Sequence, residues 1–145
     1  MCTYLKSKRL YVADKDIEVY KIVSKMEGKY YAPFHSWVEY KHNKLSTKLA
    51  SPKSLKLIVA RDFDDITNVD ARLYYTISHG IHSFKTFESA EGYLETFSQF
   101  ILNGCIVKAV IPKGSTYYKG YSGELELKEN RLPDVIVSNK LKIIQ

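Results

Sequence analysis

Two carboxylates two residues apart and two imidazoles three residues apart are the groups in this 145-residue chain whose types and spacing suit chemistry. Glu124 and Glu126 lie in the alternating run Glu124-Leu125-Glu126-Leu127-Lys128, where strand alternation puts both carboxylates on one face and the leucines behind them. Carboxylates so placed can divide labour, one stabilising an oxocarbenium-like centre and the other positioning or deprotonating a nucleophile. The plainer alternative is the polar face of an edge strand, and the spacing is common enough to favour it. His79 and His82 flank Gly80 in the turn before a predicted helix. Outside a helix this spacing does not aim two imidazoles at one point, and no cysteine or carboxylate accompanies them to complete a tetrahedral zinc site, so no metal is expected. Each reads first as a structural histidine. His82 is also placed to sit beside an anion at the helix N-terminus, and both are kept as ligand-binding candidates.

Tyrosine is the more unusual signal. Tyr30-Tyr31, Tyr74-Tyr75 and Tyr117-Tyr118 are adjacent pairs, and neighbours on a strand point to opposite faces. One of each pair is expected in the core and the other at a rim, with Tyr75 and Tyr118 taken as the ligand-facing members. Rim tyrosines near basic residues can stack on a base, and equally can line a protein interface.

The elements that must position these groups are mostly short strands. Ile17 to Val23 is β-branched and aromatic, bounded by Asp14-Lys15-Asp16 and Ser24. Trp37 to Tyr40 and Leu55 to Ala60 are weaker strand patterns, and Asp62-Phe63-Asp64-Asp65 breaks the run. Arg72 to Ile77 resumes it, with Leu73, Tyr75 and Ile77 on one face and Arg72, Tyr74 and Thr76 on the other. A helix is predicted over about 87–102, opened by Thr86 as N-cap with Glu88 in the first turn. Its apolar stripe reads Phe87, Ala90, Leu94, Phe97 and Ile101, and Asn103-Gly104 supplies the stop. Cys105 to Ile111 is apolar on both faces except at Lys108, as an internal strand would be. Pro112 ends that pairing, and Leu141 with Ile143 marks a closing strand. With no repeat, low-complexity tract or linker, the expected architecture is one α+β domain over 1–145, a mostly antiparallel sheet with one main helix.

Composition agrees with that size and class. Apolar content of 45% with 26% charged residues is that of a globular chain, and 145 residues suffice to bury a core. No apolar run approaches the roughly 20 residues of a membrane-spanning helix, and the N-terminus lacks the apolar stretch of a secretory signal. A cytoplasmic protein with no membrane partner is expected. Cys2 and Cys105 make no disulfide framework, and Cys105 reads as a small core residue. The net charge of +6 is concentrated: Lys41, Lys44, Lys48, Lys53, Lys56 and Arg61 fall in a stretch without Asp or Glu, whereas the helix carries Glu88, Glu91 and Glu95. A basic face concentrates anionic partners. The plainer reading is a solvated lysine-rich loop, and no aromatic residue interleaves the stretch, so nucleic acid is not the favoured partner.

Ile111-Pro112-Lys113-Gly114-Ser115, followed by Gly120-Tyr121-Ser122-Gly123-Glu124-Leu125-Glu126-Leu127, resembles the late strands of mono-ADP-ribosyltransferases, in which a Pro-Lys-Gly turn precedes a Glu-X-Glu motif. The resemblance implies that Glu126 holds the nicotinamide ribose of NAD and that Glu124 activates the acceptor. It covers under a fifth of the chain. The early-strand position where that family carries an arginine reads Val19-Tyr20-Lys21-Ile22, and Thr76-Ile77-Ser78-His79 replaces its Ser-Thr-Ser strand. Lys21 is then the cation available to an anionic ligand there, without arginine's bidentate fork. A broader likeness is to small uncharacterised proteins of Bacteroidota and their phages. It rests on Val-Tyr-Lys, Gly-Ile-His-Ser-Phe before the helix, Val-Ile-Pro-Lys-Gly-Ser-Thr-Tyr-Tyr-Lys-Gly and the closing Val-Ser-Asn-Lys-Leu-Lys-Ile, and implies a short accessory protein.

The favoured expectation is a nonenzymatic binding protein that captures an anionic partner, a nucleotide-type ligand or a protein, through Lys21, His79, His82, Tyr75 and Tyr118, without a cofactor. A phage modulator of host defence is a special case. The alternative is an ADP-ribosyltransferase-like or NAD-processing enzyme using Glu124 and Glu126, with NAD as its cofactor.

Overall fold

The computed structural model describes residues 3–35, 37–62, 65–123 and 131–144, with the side chains of 56–72 left aside. Cys2, the Glu124–Lys128 strand pattern and the Glu124/Glu126 pair lie outside the described residues, as do the side chains of Lys56 and Arg61. The described strands are β1 (Thr3–Leu5), β2 (Tyr11–Val12), β3 (Ile17–Met26), β4 (Lys29–Tyr31), β5 (Lys44–Ser46), β6 (Lys53–Asp62), β7 (Asp65–Ile77) and β8 (Ile81–Phe84), then β9 (Gly104–Ile111), β10 (Thr116–Gly120), β11 (Val135–Ser138) and β12 (Lys140–Ile143). Helix α1 (Phe87–Phe97) stands between β8 and β9. Every registered pair is antiparallel, which gives the expected α+β fold.

The larger sheet runs β2-β10-β11-β8-β3-β9-β12-β5, with β4 on the end of β3. Its spine is the β3–β9 pair, in register from Ile17 opposite Ile111 to Ser24 opposite Gly104. β9 is thus internal, as its two apolar faces predict, and it stops at Ile111 because Pro112 has no N–H to continue the ladder. The sheet rolls. β5 is four strands away from β8, yet the segment just after it bonds back, with Ala50 N–H on His79 O at 3.2 Å. Inside the roll pack Val19, Ile81, Ala109, Ile111, Ile136 and Leu141, with Leu45 against them. On the other face Ile22, Phe84, Ala90, Ile101, Val135 and Val137 form the core under α1. Alternation along β3 therefore sends Tyr20 and Ile22 to the helix and Val19, Lys21 and Val23 to the opposite face.

Thr86 caps the helix as expected, its Oγ1 accepting from Ser89 N–H at 3.2 Å. Two details differ. The α-helix ends at Phe97 and tightens into a 3-10 turn over Ser98–Phe100, where Ser98 Oγ donates to the Glu95 carbonyl and competes with the regular ladder. Phe87, assigned to the apolar stripe, is 43% exposed and touches Tyr20 edge-on. Tyr93 takes its place, packing on Phe84, Phe97 and Phe34, so the buried face runs through Ala90, Tyr93, Leu94 and Phe97.

A second sheet, β1-β7-β6, is built on a long hairpin that closes with Asp62 opposite Asp65, where the acidic run breaks the strand pattern. It joins the larger sheet where Tyr4 and Tyr121 exchange backbone bonds of 2.9 and 2.8 Å. A Cβ on Gly120 would stand 2.6 Å from Tyr4 O and 2.5 Å from Thr3 Cγ2, so this seam admits only glycine without displacement of backbone.

Trp37 to Tyr40 is not a strand. Only Glu39 bridges to Tyr31, and Trp37 is 77% exposed against His35. The segment folds back on β4 through Ala32 N–H to Val38 O and Tyr40 N–H to Tyr30 O. Cys105 is half-buried at the edge of the Val23, Val107 and Ile143 cluster rather than within the core, and burial raises its thiol pKa.

Candidate functional site

β3 and β8 share a single registered pair, Tyr20 opposite Phe84. The ladder ends there, and the next residue of β3 and the start of β8 border a cavity of about 660 Å³. Lys21 enters it from β3, and Ser78 to His82 from the turn into β8. The Ala32–Tyr40 fold-back forms another wall, and Lys41 to Thr47, around β5, close the rim. The cavity exists because the sheet rolls and because β3 and β8 part.

Lys21 is the chemical centre of this space. It is 6% exposed, and it makes no hydrogen bond or ion pair among the described residues. Burial brings its ammonium pKa down from 10.5 to about 8. An isolated ammonium out of water is unfavourable, and no carboxylate among the described residues offsets it. Glu39 lines the same cavity, but its Oε1 lies 3.9 Å from Lys29 Nζ.

His82 is 8% exposed. Its Nδ1 is 3.1 Å from the Gly80 carbonyl, which can only accept, so Nδ1 carries the proton in the neutral ring. Nε2 is then a lone-pair acceptor, buried and without a hydrogen-bond partner. Burial first, and then the Lys21 charge, brings the His82 pKa down to about 4, outweighing the carbonyls of Gly80 and Ile77 that favour the proton. Gly80 is required for this turn: its φ is +151°, and a Cβ there would lie 2.4 Å from Val137 Cγ1. His79 is exposed and holds the mouth, its Nε2 3.0 Å from Thr47 Oγ1. Tyr40 places a hydroxyl donor in the wall, and burial pushes its phenol pKa up to about 12.

This site has a signature in acid. The folded His82 pKa of about 4 lies below the ordinary 6.5, so the unfolded chain binds the proton more tightly between those values. Stability is therefore expected to fall as pH drops from 6.5 towards 4. In His82→Gln that part of the slope should vanish, as read from urea midpoints across the range.

Lys21, His79 and His82, far apart in sequence, are brought to one cavity, with Lys41 and Lys44 from the basic stretch beside them. Tyr75 and Tyr118 are elsewhere. Tyr75 is half-buried on β7 under Lys8 Nζ, 5.5 Å from its ring centroid. Tyr118 is 8% and Tyr117 9% exposed, so this pair has no rim member: Tyr118 packs into the helix-side core while Tyr117 stacks on Tyr11 at 5.4 Å. Gly123 and Arg131, which flank the Glu-X-Glu segment, line a separate groove against α1. Thr47, Glu39 and Tyr40 were not singled out from sequence, and only Gly80, set between two histidines, carried a local signal. Among the described residues no cluster of His, Cys, Asp or Glu is arranged to hold a metal, and no helix is long and apolar enough to cross a membrane. No family model, curated protein or solved structure matches the chain.

Proposed function

We propose that the protein is a nonenzymatic binding protein that captures a small anionic ligand, of nucleotide type, in the Lys21 cavity. The observation that carries this reading is the buried Lys21 ammonium, unpartnered among the described residues and lining an open space. Such a group is destabilising in the empty protein and becomes favourable once an anion is seated against it. Lys41 and Lys44 extend the positive field to the rim, and about 660 Å³ is within the range of small-molecule sites. Capture of a signalling nucleotide by a short accessory protein is one form this function takes.

The test is thermal unfolding at low ionic strength with inorganic phosphate, ADP-ribose, NAD, cyclic dinucleotides and short single-stranded nucleic acids. A ligand at 100 times its Kd should stabilise the fold by about 2.7 kcal/mol. The shift should be absent in Lys21→Met. No response to any anion, or a response that survives that substitution, defeats the proposal. Release of nicotinamide from NAD that disappears in Glu126→Gln would replace it with the ADP-ribosyltransferase-like alternative.

A further inference from the structure

Electrostatic attraction does not exhaust what Lys21 can do. A lysine in water is a hydrated cation at neutral pH, and its nitrogen has no lone pair to offer. In this cavity burial brings the ammonium down to about 8, so an appreciable fraction is free amine near neutrality, open to the cavity and tied to no acid among the described residues. Another residue of the same lining has an unengaged nitrogen that is closed to solvent. His82 is fixed by its Nδ1 contact to Gly80, which leaves Nε2 as a buried lone pair with no partner in the same lining. Its sensitivity to the Lys21 charge shows that the two groups feel one another. The Tyr40 hydroxyl, with Lys41 and Lys44, offers donors and charge to a carboxylate or phosphate.

We propose that Lys21 forms a reversible imine with the carbonyl carbon of a small aldehyde or 2-oxo acid whose carboxylate or phosphate is held by the surrounding cavity. The neutral amine adds to the carbonyl carbon, and the C–O π electrons move to oxygen. The proton lost from nitrogen passes to that oxygen through solvent in the cavity, giving a carbinolamine. A solvent proton on the hydroxyl lets it leave as water while the nitrogen lone pair closes an iminium, and loss of the remaining N–H proton to solvent leaves the imine. One amine and one carbonyl give one imine and one water, with no change of oxidation state, and hydrolysis reverses the step. This assignment rests on the reading of the cavity as an anion site, but it takes small carbonyl-bearing anions in place of the nucleotide class.

Trapping tests it directly. The intact protein is incubated with glyoxylate and sodium cyanoborohydride near pH 8, and adducts are located by intact mass and peptide mapping. The larger free-amine fraction, partly offset by lower intrinsic nucleophilicity, predicts labelling of Lys21 about tenfold ahead of exposed lysines such as Lys41 and Lys44. Lys21→Arg should lose that adduct. Labelling spread over exposed lysines, or no labelling, overturns the proposal. Phosphate stabilisation of the unmodified protein without a Lys21 adduct sinks the imine alone, whereas absence of both sinks the anion site as well.

Discussion

At neutral pH Lys21→Met is expected to make the protein more stable by about 3 kcal/mol while removing anion binding. Methionine has nearly the length and volume of the lysine stem, so the substitution keeps the packing and removes only the charge. The size follows from the drop of the ammonium pKa from 10.5 to about 8, caused by burial alone. The sign is set by linkage: between those two values the unfolded chain binds the proton more tightly, so stability rises with pH across that window. The penalty is fully present below pH 8 and gone above 10.5. Tyr40 acts oppositely above pH 10, because burial pushes its phenol up to about 12 and the folded state keeps that proton longer. The difference between wild type and variant cancels the tyrosine contribution. Paired urea titrations from pH 7 to 10.5 should therefore show a gap that closes with rising pH. A variant less stable than wild type at pH 7 would mean that Lys21 is compensated within the fold, and the case for an anion would fall with it.

Phe84→Ala should cost about 3–5 kcal/mol and lower the melting temperature by roughly 10–20 °C. Phe84 is 2% exposed, lies in the helix-side core and packs on Tyr93 at 5.4 Å between ring centroids. It also stands opposite Tyr20 at the one position where β3 and β8 are in register. Its loss would open a void under α1 and slacken the pair that sets the distance between Lys21 and His82. Against a total stability of about 5–15 kcal/mol for an ordinary domain, this is a large fraction. Ligand-induced stabilisation should also shrink, even below the new melting temperature. A drop under about 1 kcal/mol, with full ligand response, would show that the helix core closes over the gap and that the strand pair is held by other contacts.

Where one period dominates a segment, the fold was legible. The alternation of β3, the doubly apolar β9 stopped by Pro112, the Thr86 cap and the closing β12 are each dictated within about ten residues. Trp37 to Tyr40 misled because aromatic and β-branched residues describe a surface that packs, whether it belongs to a strand or to a loop folded on one. Tyr93 was hidden because the face a helix buries depends on Phe34 and Phe84, which reach it from other parts of the chain. The site was legible only as fragments. Lys21 and the two histidines carry no common spacing, and their meeting depends on a roll of the sheet and a parting of two strands that no local pattern encodes.

The position of Lys21 also bears on how the chain survives before it folds. β3 is completed early in the sequence, but its partners β8 and β9 lie more than fifty residues downstream, and only β4 is at hand to pair with its end. While it waits, Val19-Tyr20-Lys21-Ile22-Val23 is an unpaired β-prone segment, the type that self-associates unless a charge interrupts it. In the solvated, unfolded chain Lys21 is a full cation at the centre of that run. The same side chain that strains the finished interior thus keeps the nascent strand from pairing with a copy of itself.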